Sequence, residues 1–233
     1  MDFLGDGFRR ALALLLSGDR DVYGIALLTF KVAVVATAVA CAAGIPTGFL
    51  LATRPFWGRR AALTVVNTAL AFPTVVVGLL LYGLLSRRGP LGGLGWLYTW
   101  QAIVIGDVLL AFPIAAALSA AAVQGVDPRI RRTAETLGAG PWRAAWTVAR
   151  EARFALAAVI TAAFGQTVAE VGAAMIVGGN IRGATRTLTT AVALYTAQGD
   201  FGLALALGVV LLLLALLVNV ALQVLQGRGG SRG

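Results

Sequence analysis

The sequence predicts an all-α integral membrane protein with about five transmembrane helices. Three observations carry that prediction. Of 233 residues, 59% are hydrophobic and only 12% are charged, about half the ~25% charged fraction of a soluble domain. Apolar runs long enough to cross a bilayer, roughly 20 residues each, recur five times. The arginines collect between those runs rather than on one continuous face. So little charge cannot clothe a globule of this size in water, and lipid is the natural solvent for most of the chain.

Residues 1–23 form an N-terminal extracytoplasmic or interfacial segment, in which 3–17 reads as an amphipathic helix too short to span. The apolar transmembrane body runs from 24 to 226, followed by a basic tail at 227–233. Its spans are expected at 24–53 (uncharged after Lys31), 61–86 (no charge), 99–123 (containing Asp107), 154–177 (containing Glu170) and 201–226 (no charge). The tetrapeptide Leu70-Ala71-Phe72-Pro73 recurs as Leu110-Ala111-Phe112-Pro113. Each proline removes a helical hydrogen bond, so a bend is expected within both spans, serving either packing or the shaping of a pore.

Loop charge sets the expected orientation. Arg54, Arg59, Arg60, Arg129, Arg131, Arg132, Arg143, Arg150, Arg153, Arg228 and Arg232 lie on one side, eleven in all, against seven on the other: Arg9, Arg10, Arg20, Arg87, Arg88, Arg182 and Arg186. The positive-inside rule then places the 124–153 connection and the C-terminus in the cytoplasm and the N-terminus outside.

Several function classes are excluded by what the chain lacks. With no histidine there is neither a Ser-His-Asp triad nor a histidine metal site, and the lone Cys41 can form no intrachain disulfide or cysteine zinc site. The single lysine, Lys31, follows no G-x-x-x-x-G, so no P-loop binds ATP here and any ATP energy comes from a partner. The net charge of +9 is scattered between apolar runs and does not build a nucleic-acid face. Asp2 and Asp6 oppose the positive start of a signal peptide. No catalytic, cofactor or metal residue is expected.

The 124–153 connection is not linker-like. A helical stretch (Ile130, Ala134, Leu137) meets Gly138-Ala139-Gly140-Pro141, and a second, 142–153, follows with Trp142 and Trp146 on one face. Thr133-Ala134-Glu135-Thr136-Leu137-Gly138-Ala139, with Val148 ten residues after the glycine, resembles the EAA loop of ABC-importer permeases. Arg132-Thr133 replaces the usual Glu-Ala, and Arg150-Glu151 replaces a common Leu-Pro. Arg150 to Ala155, and the run from Ala169-Glu170-Val171-Gly172 through Asn180-Ile181-Arg182-Gly183 to Arg186-Thr187-Leu188-Thr189-Thr190, resemble the tungstate-type branch of these permeases. Phe72-Pro73-Thr74 through Gly78 resembles a pore helix of molybdate and tungstate permeases.

The resemblance implies a type I ABC importer permease (MetI-like) fold with a cytoplasmic coupling helix. It implies that Ala134, Glu135, Thr136, Leu137, Gly138 and Ala139 couple to a cytosolic ATPase. It further implies a homodimer of permeases, two ATP-binding subunits, an extracytoplasmic substrate-binding protein, and tungstate or a related oxyanion as cargo. Pro73, Thr74, Gly78, Glu170 and Gly172 are the pore or gate candidates; Asn180, Arg182 and Arg186 are those of the outer mouth. Glu170 would repel a dianion, so a structural bond to backbone or arginine is favoured over ligation. Three rivals remain: the same machine for molybdate, sulfate or phosphate; an ion-coupled secondary transporter; and an intramembrane enzyme using Asp107 and Glu170.

Overall fold

The computed structural model describes residues 16–227, together with 5, 8, 9, 12 and 13. The expected helix at 3–17 and the tail with Arg228 and Arg232 therefore lie largely outside the described residues. The rest is helical: α1 Arg20–Thr53, α2 Arg59–Ala69, α3 Thr74–Leu85, α4 Trp100–Gln124, α5 Pro128–Thr136, α6 Pro141–Glu151, α7 Arg153–Val168, α8 Gly172–Gly178, α9 Leu188–Ala197 and α10 Phe201–Gly227. Three helices (α1, α4, α10) are long and apolar enough to cross a membrane alone, and counting each of two bent pairs (α2 with α3, α7 with α8) as one broken span brings the number up to five among the described residues.

α1 begins where Asp19 Oδ1 accepts from the amides of Asp21 (2.9 Å) and Val22 (3.1 Å), satisfying donors that a helix start leaves open. It ends where Arg59 Nε donates to Leu51 O (2.6 Å) and Arg131 Nη1 to Thr53 O (3.4 Å), cations against the negative end of the helix. Lys31 Nζ sits 3.7 Å from the centre of the Trp100 ring, tying α1 to the start of α4.

The core is the parallel pair α1 and α4. Rising residue numbers on one helix meet rising numbers on the other: Gly44 faces Phe112 and Ala115, and Gly48 faces Ala116, Ser119 and Ala120. A Cβ on Gly48 would stand 2.2 Å from Ala116 O, so only glycine permits this approach. Lipid offers no hydrophobic drive for helix association; close backbone contact between small residues supplies it instead. α7 closes over this seam, where Ala40, Cys41, Ala111, Ala115, Val159 and Ala163 are all buried together. A second cluster gathers Val32, Ala36, Val77, Leu81, Ile103, Ala173 and Val177, joining α1, α3, α4 and α8.

The two proline repeats have different fates. At Pro73 the expected bend is a complete break: residues 70–73 leave the helix, and α2 and α3 diverge by 102°. Pro113 instead lies inside an unbroken α4. α2 has no buried residue, whereas Ala111, Pro113, Ala115 and Ala116 of α4 are buried, so close packing holds α4 together through its proline. The span expected at 154–177 is also corrected. It breaks at 169–171, with a 55° bend between α7 and α8. Glu170 therefore lies in the break and does not share a helical stripe with Gln166 and Thr167.

Gly48→Ala is expected to lower the thermal midpoint of the detergent-purified protein, by an overpacking cost of about 1–3 kcal/mol. Gly24→Ala, where a Cβ meets nothing within 4 Å, should leave the midpoint unchanged or raise it. Equal behaviour of the two variants would remove the α1–α4 seam as the source of stability.

Candidate translocation site at two broken spans

The two breaks face each other. α3 starts at Thr74 with Pro73 as its N-cap, and α8 starts at Gly172. A Cβ on Gly172 would lie 2.5 Å from Thr74 Oγ1 and 2.9 Å from Val75 Cγ2, and one on Gly78 would lie 2.8 Å from Ala173 Cα. Pro73, Thr74, Gly78, Glu170 and Gly172, separated by up to a hundred residues of chain, therefore meet at one junction.

Glu170 holds this junction by local bonds. Its Oε1 accepts from Ala173 N (2.8 Å), and its main-chain oxygen accepts from Thr189 Oγ1 (2.7 Å). An opened helix away from water needs such replacements for its lost hydrogen bonds. Below the break, Thr167 Oγ1 and Thr37 Oγ1 are 3.0 Å apart and bonded, linking α7 to α1. Asp107 is nearly inaccessible, and its Oδ1 has no hydrogen-bond partner among the described residues. The junction contains no group of three His, Cys, Asp or Glu among the described residues that could hold a metal ion. Its chemistry is that of packing: small residues let two short helices approach closely.

Above the junction, the segment 179–187 is a tight hydrogen-bonded cap. Asn180 adopts φ +50°, and its Nδ2 donates to Thr190 O (3.2 Å). Arg186 Nε donates to Asn180 Oδ1 (3.2 Å) and its Nη2 to Asn180 O (3.3 Å). Thr185 Oγ1 donates to Gly178 O (2.5 Å) and accepts from Ile181 N (3.0 Å). The two arginines are not equivalent. Arg182 pairs with Asp21, whose hydrogen bond and charge raise the arginine pKa further. Arg186 has no carboxylate partner among the described residues and keeps its charge uncompensated.

The remaining candidates form a separate surface on α5. No residue of α5 is buried, and Leu137 after it is 83% exposed. Gly138 N bonds Glu135 O (3.0 Å), Ala139 N bonds Ala134 O (2.9 Å), and Gly138 takes φ +83°, a glycine-terminated helix end that satisfies the last carbonyls. Thr133, Ala134, Leu137, Gly138 and Ala139 line a groove of about 570 Å³ with Arg129 and Arg143 at its sides. Glu135 faces away from that list in an exposed ion pair with Arg131 (2.9 Å).

Sequence reasoning missed Thr189, Asp21 and the Gly44/Gly48 pair. The four-residue glycine spacing was legible as a helix-contact signal. Thr189 and Asp21 act on partners 19 and 161 residues away, and no local pattern announces them. Thr189→Val should leave Glu170 O unsatisfied, at about 1–3 kcal/mol, and lower the thermal midpoint; Thr189→Ser should restore it. A valine variant as stable as the parent would show that this bond does not hold the break.

Comparison with known proteins fits this geometry. The family described as "binding-protein-dependent transport system inner membrane component" matches residues 44–228. The tungstate uptake system permease protein TupB of Peptoclostridium acidaminophilum is 39% identical over 226 residues, covering 97% of this chain and 99% of that one. TupB of Campylobacter jejuni is 41% identical over 219 residues, 94% and 92% of the two chains. The molybdenum transport system permease protein ModB of Escherichia coli is 31% identical over 205 residues, 83% and 90%. With up to five candidate spans, two of them bent, and a match over most of its length, this chain belongs to the family of binding-protein-dependent transport system inner membrane components.

Proposed function

We propose that this chain is the permease of an ATP-driven tungstate importer. The observation that carries the reading is identity of about 40% over nearly the full length to two permeases named for tungstate uptake, against 31% to a molybdenum permease. Two copies would form the pore and a binding protein would deliver the oxyanion outside. ATP-binding subunits would dock on α5, with the 124–153 connection in the cytoplasm.

The chain's own bonds support a route for the stroke. Arg131 on α5 reaches Thr53 O at the end of α1, and α1 packs by Gly44 and Gly48 on α4. Force on α5 therefore enters the tightest helix pair of the fold. α4 in turn touches α8 where Gly106 lies opposite Ala173, beside the Thr74–Gly172 junction. The junction acts as the gate: Glu170 positions α8 through Ala173 N, and does not ligate the anion. Arg186, with its free charge, draws the dianion toward the outer mouth, while Arg182 is held by Asp21. A pore must release what it admits, which favours attraction at a distance over tight ligation.

Two measurements test this. In proteoliposomes with the native binding protein and ATPase, tungstate uptake at limiting concentration should be competed poorly by molybdate and hardly at all by sulfate. Sulfate or phosphate competing as well as unlabelled tungstate overturns the substrate; molybdate competing equally selects the molybdate reading. Gly138→Val meets no atom within 4 Å, so its cost is the left-handed backbone alone, about 1–2 kcal/mol. That variant should assemble, lose uptake and leave ATP hydrolysis unresponsive to the binding protein. Normal uptake would remove α5 as the coupling helix.

A further inference from the structure

On the 124–153 side of the molecule, the last turns of α1 and the face of α6 enclose an open groove of about 360 Å³. α1 supplies Ile45, Pro46, Phe49 and Leu50, and the other wall carries Trp142, Trp146 and Leu156 with two alanines. The lining is almost wholly apolar, yet Trp142 and Trp146 are 83% and 67% exposed. Positions 142, 146 and 149 follow the 3.6-residue helical period along α6, and Arg153 lies past the Ala152 turn that ends α6, as the first residue of α7. Its guanidinium lies 4.6 Å from the centre of the Phe154 ring. Arg150 flanks the same face one turn earlier, exposed in the last turn of α6.

The groove thus straddles a polarity step. Toward the bundle are Ile45 and Leu156, and after Phe154 the chain carries no charge until Glu170. Toward the connection are two indoles and two arginines. Tryptophan rings prefer the headgroup level, and apolar clefts edged with basic residues between membrane helices suit anionic lipid headgroups. Water would be a poor occupant of so apolar a lining.

We propose that this groove is a binding site for one anionic phospholipid, with an acyl chain laid between α1 and α7 and the phosphate held by Arg150 and Arg153. The site joins α1 to α6, the helix that follows the α5 surface, so a bound lipid braces the connection against the bundle. It does not depend on which oxyanion the protein carries.

The test uses tryptophan fluorescence, because Trp142 and Trp146 report on the groove directly. Trp57, Trp96 and Trp100 are replaced by phenylalanine in the full chain, leaving two of its five tryptophans. The protein is reconstituted in phosphatidylcholine vesicles containing a minor fraction of bromine-labelled lipid, either phosphatidylglycerol or phosphatidylcholine. Bromine quenches indoles at short range. Labelled phosphatidylglycerol should quench at least about twofold more than labelled phosphatidylcholine at equal fraction, consistent with ~1 kcal/mol per basic contact. Arg150→Gln with Arg153→Gln should abolish the difference while leaving the melting midpoint in place. Equal quenching by the two lipids would show bulk lipid contact without a site. Absence of quenching by either would show the groove covered by protein, such as a second copy. Either result overturns the proposal, and neither depends on transport.

Discussion

Backbone hydrogen bonding away from water is the constraint on which this structure depends. A span that opens within the membrane exposes amides and carbonyls that lipid cannot satisfy, each costing several kcal/mol. The fold opens two spans all the same, and side chains close the debt at the second. Glu170 takes the amide of Ala173 and Thr189 gives its hydroxyl to Glu170 O. At the first, turn bonds from Leu70, Ala71 and Phe72 to carbonyls three residues back serve instead, and Pro73 brings no amide to satisfy. An ionisable residue deep in the chain is thereby explained without a catalytic or ligand role.

The breaks matter because of what they bring together. Continuous helices at 61–86 and 154–177 would cross once and diverge. Broken ones place two short helices, α3 and α8, in contact along Gly78 and Gly172. These halves sit on a stiff frame, since α1 and α4 are locked by glycine contacts that a single methyl group would disturb. A permease needs this division between a frame that transmits displacement and a junction that can part. Interfaces built this way change between discrete arrangements and do not deform smoothly.

Charge is distributed to match. The α5 surface keeps its arginines and Leu137 unburied, while the segment 179–187 folds its polar groups inward onto one another. To Arg182 and Arg186 sequence alone assigns equal weight. The fold pairs Arg182 with Asp21 and gives Arg186 no carboxylate partner among the described residues.

The sequence by itself determined the membrane class, the apolar runs that make up to five spans, the helical hairpin at 124–153 and the glycine turn at 138. Each of these follows from local composition or spacing: apolar length, helical period, and the one residue type that tolerates a left-handed turn. It also marked Pro73, Thr74, Gly78, Glu170 and Gly172 as pore or gate candidates, without saying that they touch. Tertiary structure alone decided that Leu-Ala-Phe-Pro breaks a helix at Pro73 and not at Pro113: α2 buries none of its residues against its neighbours, whereas α4 is packed between α1 and α7. It also placed Glu170 in a break, paired Arg182 with Asp21 and bonded Thr189 to Glu170. These outcomes depend on partners distant in the chain, and a hydrogen bond or a steric clasp has no signature in the residues at one end of it.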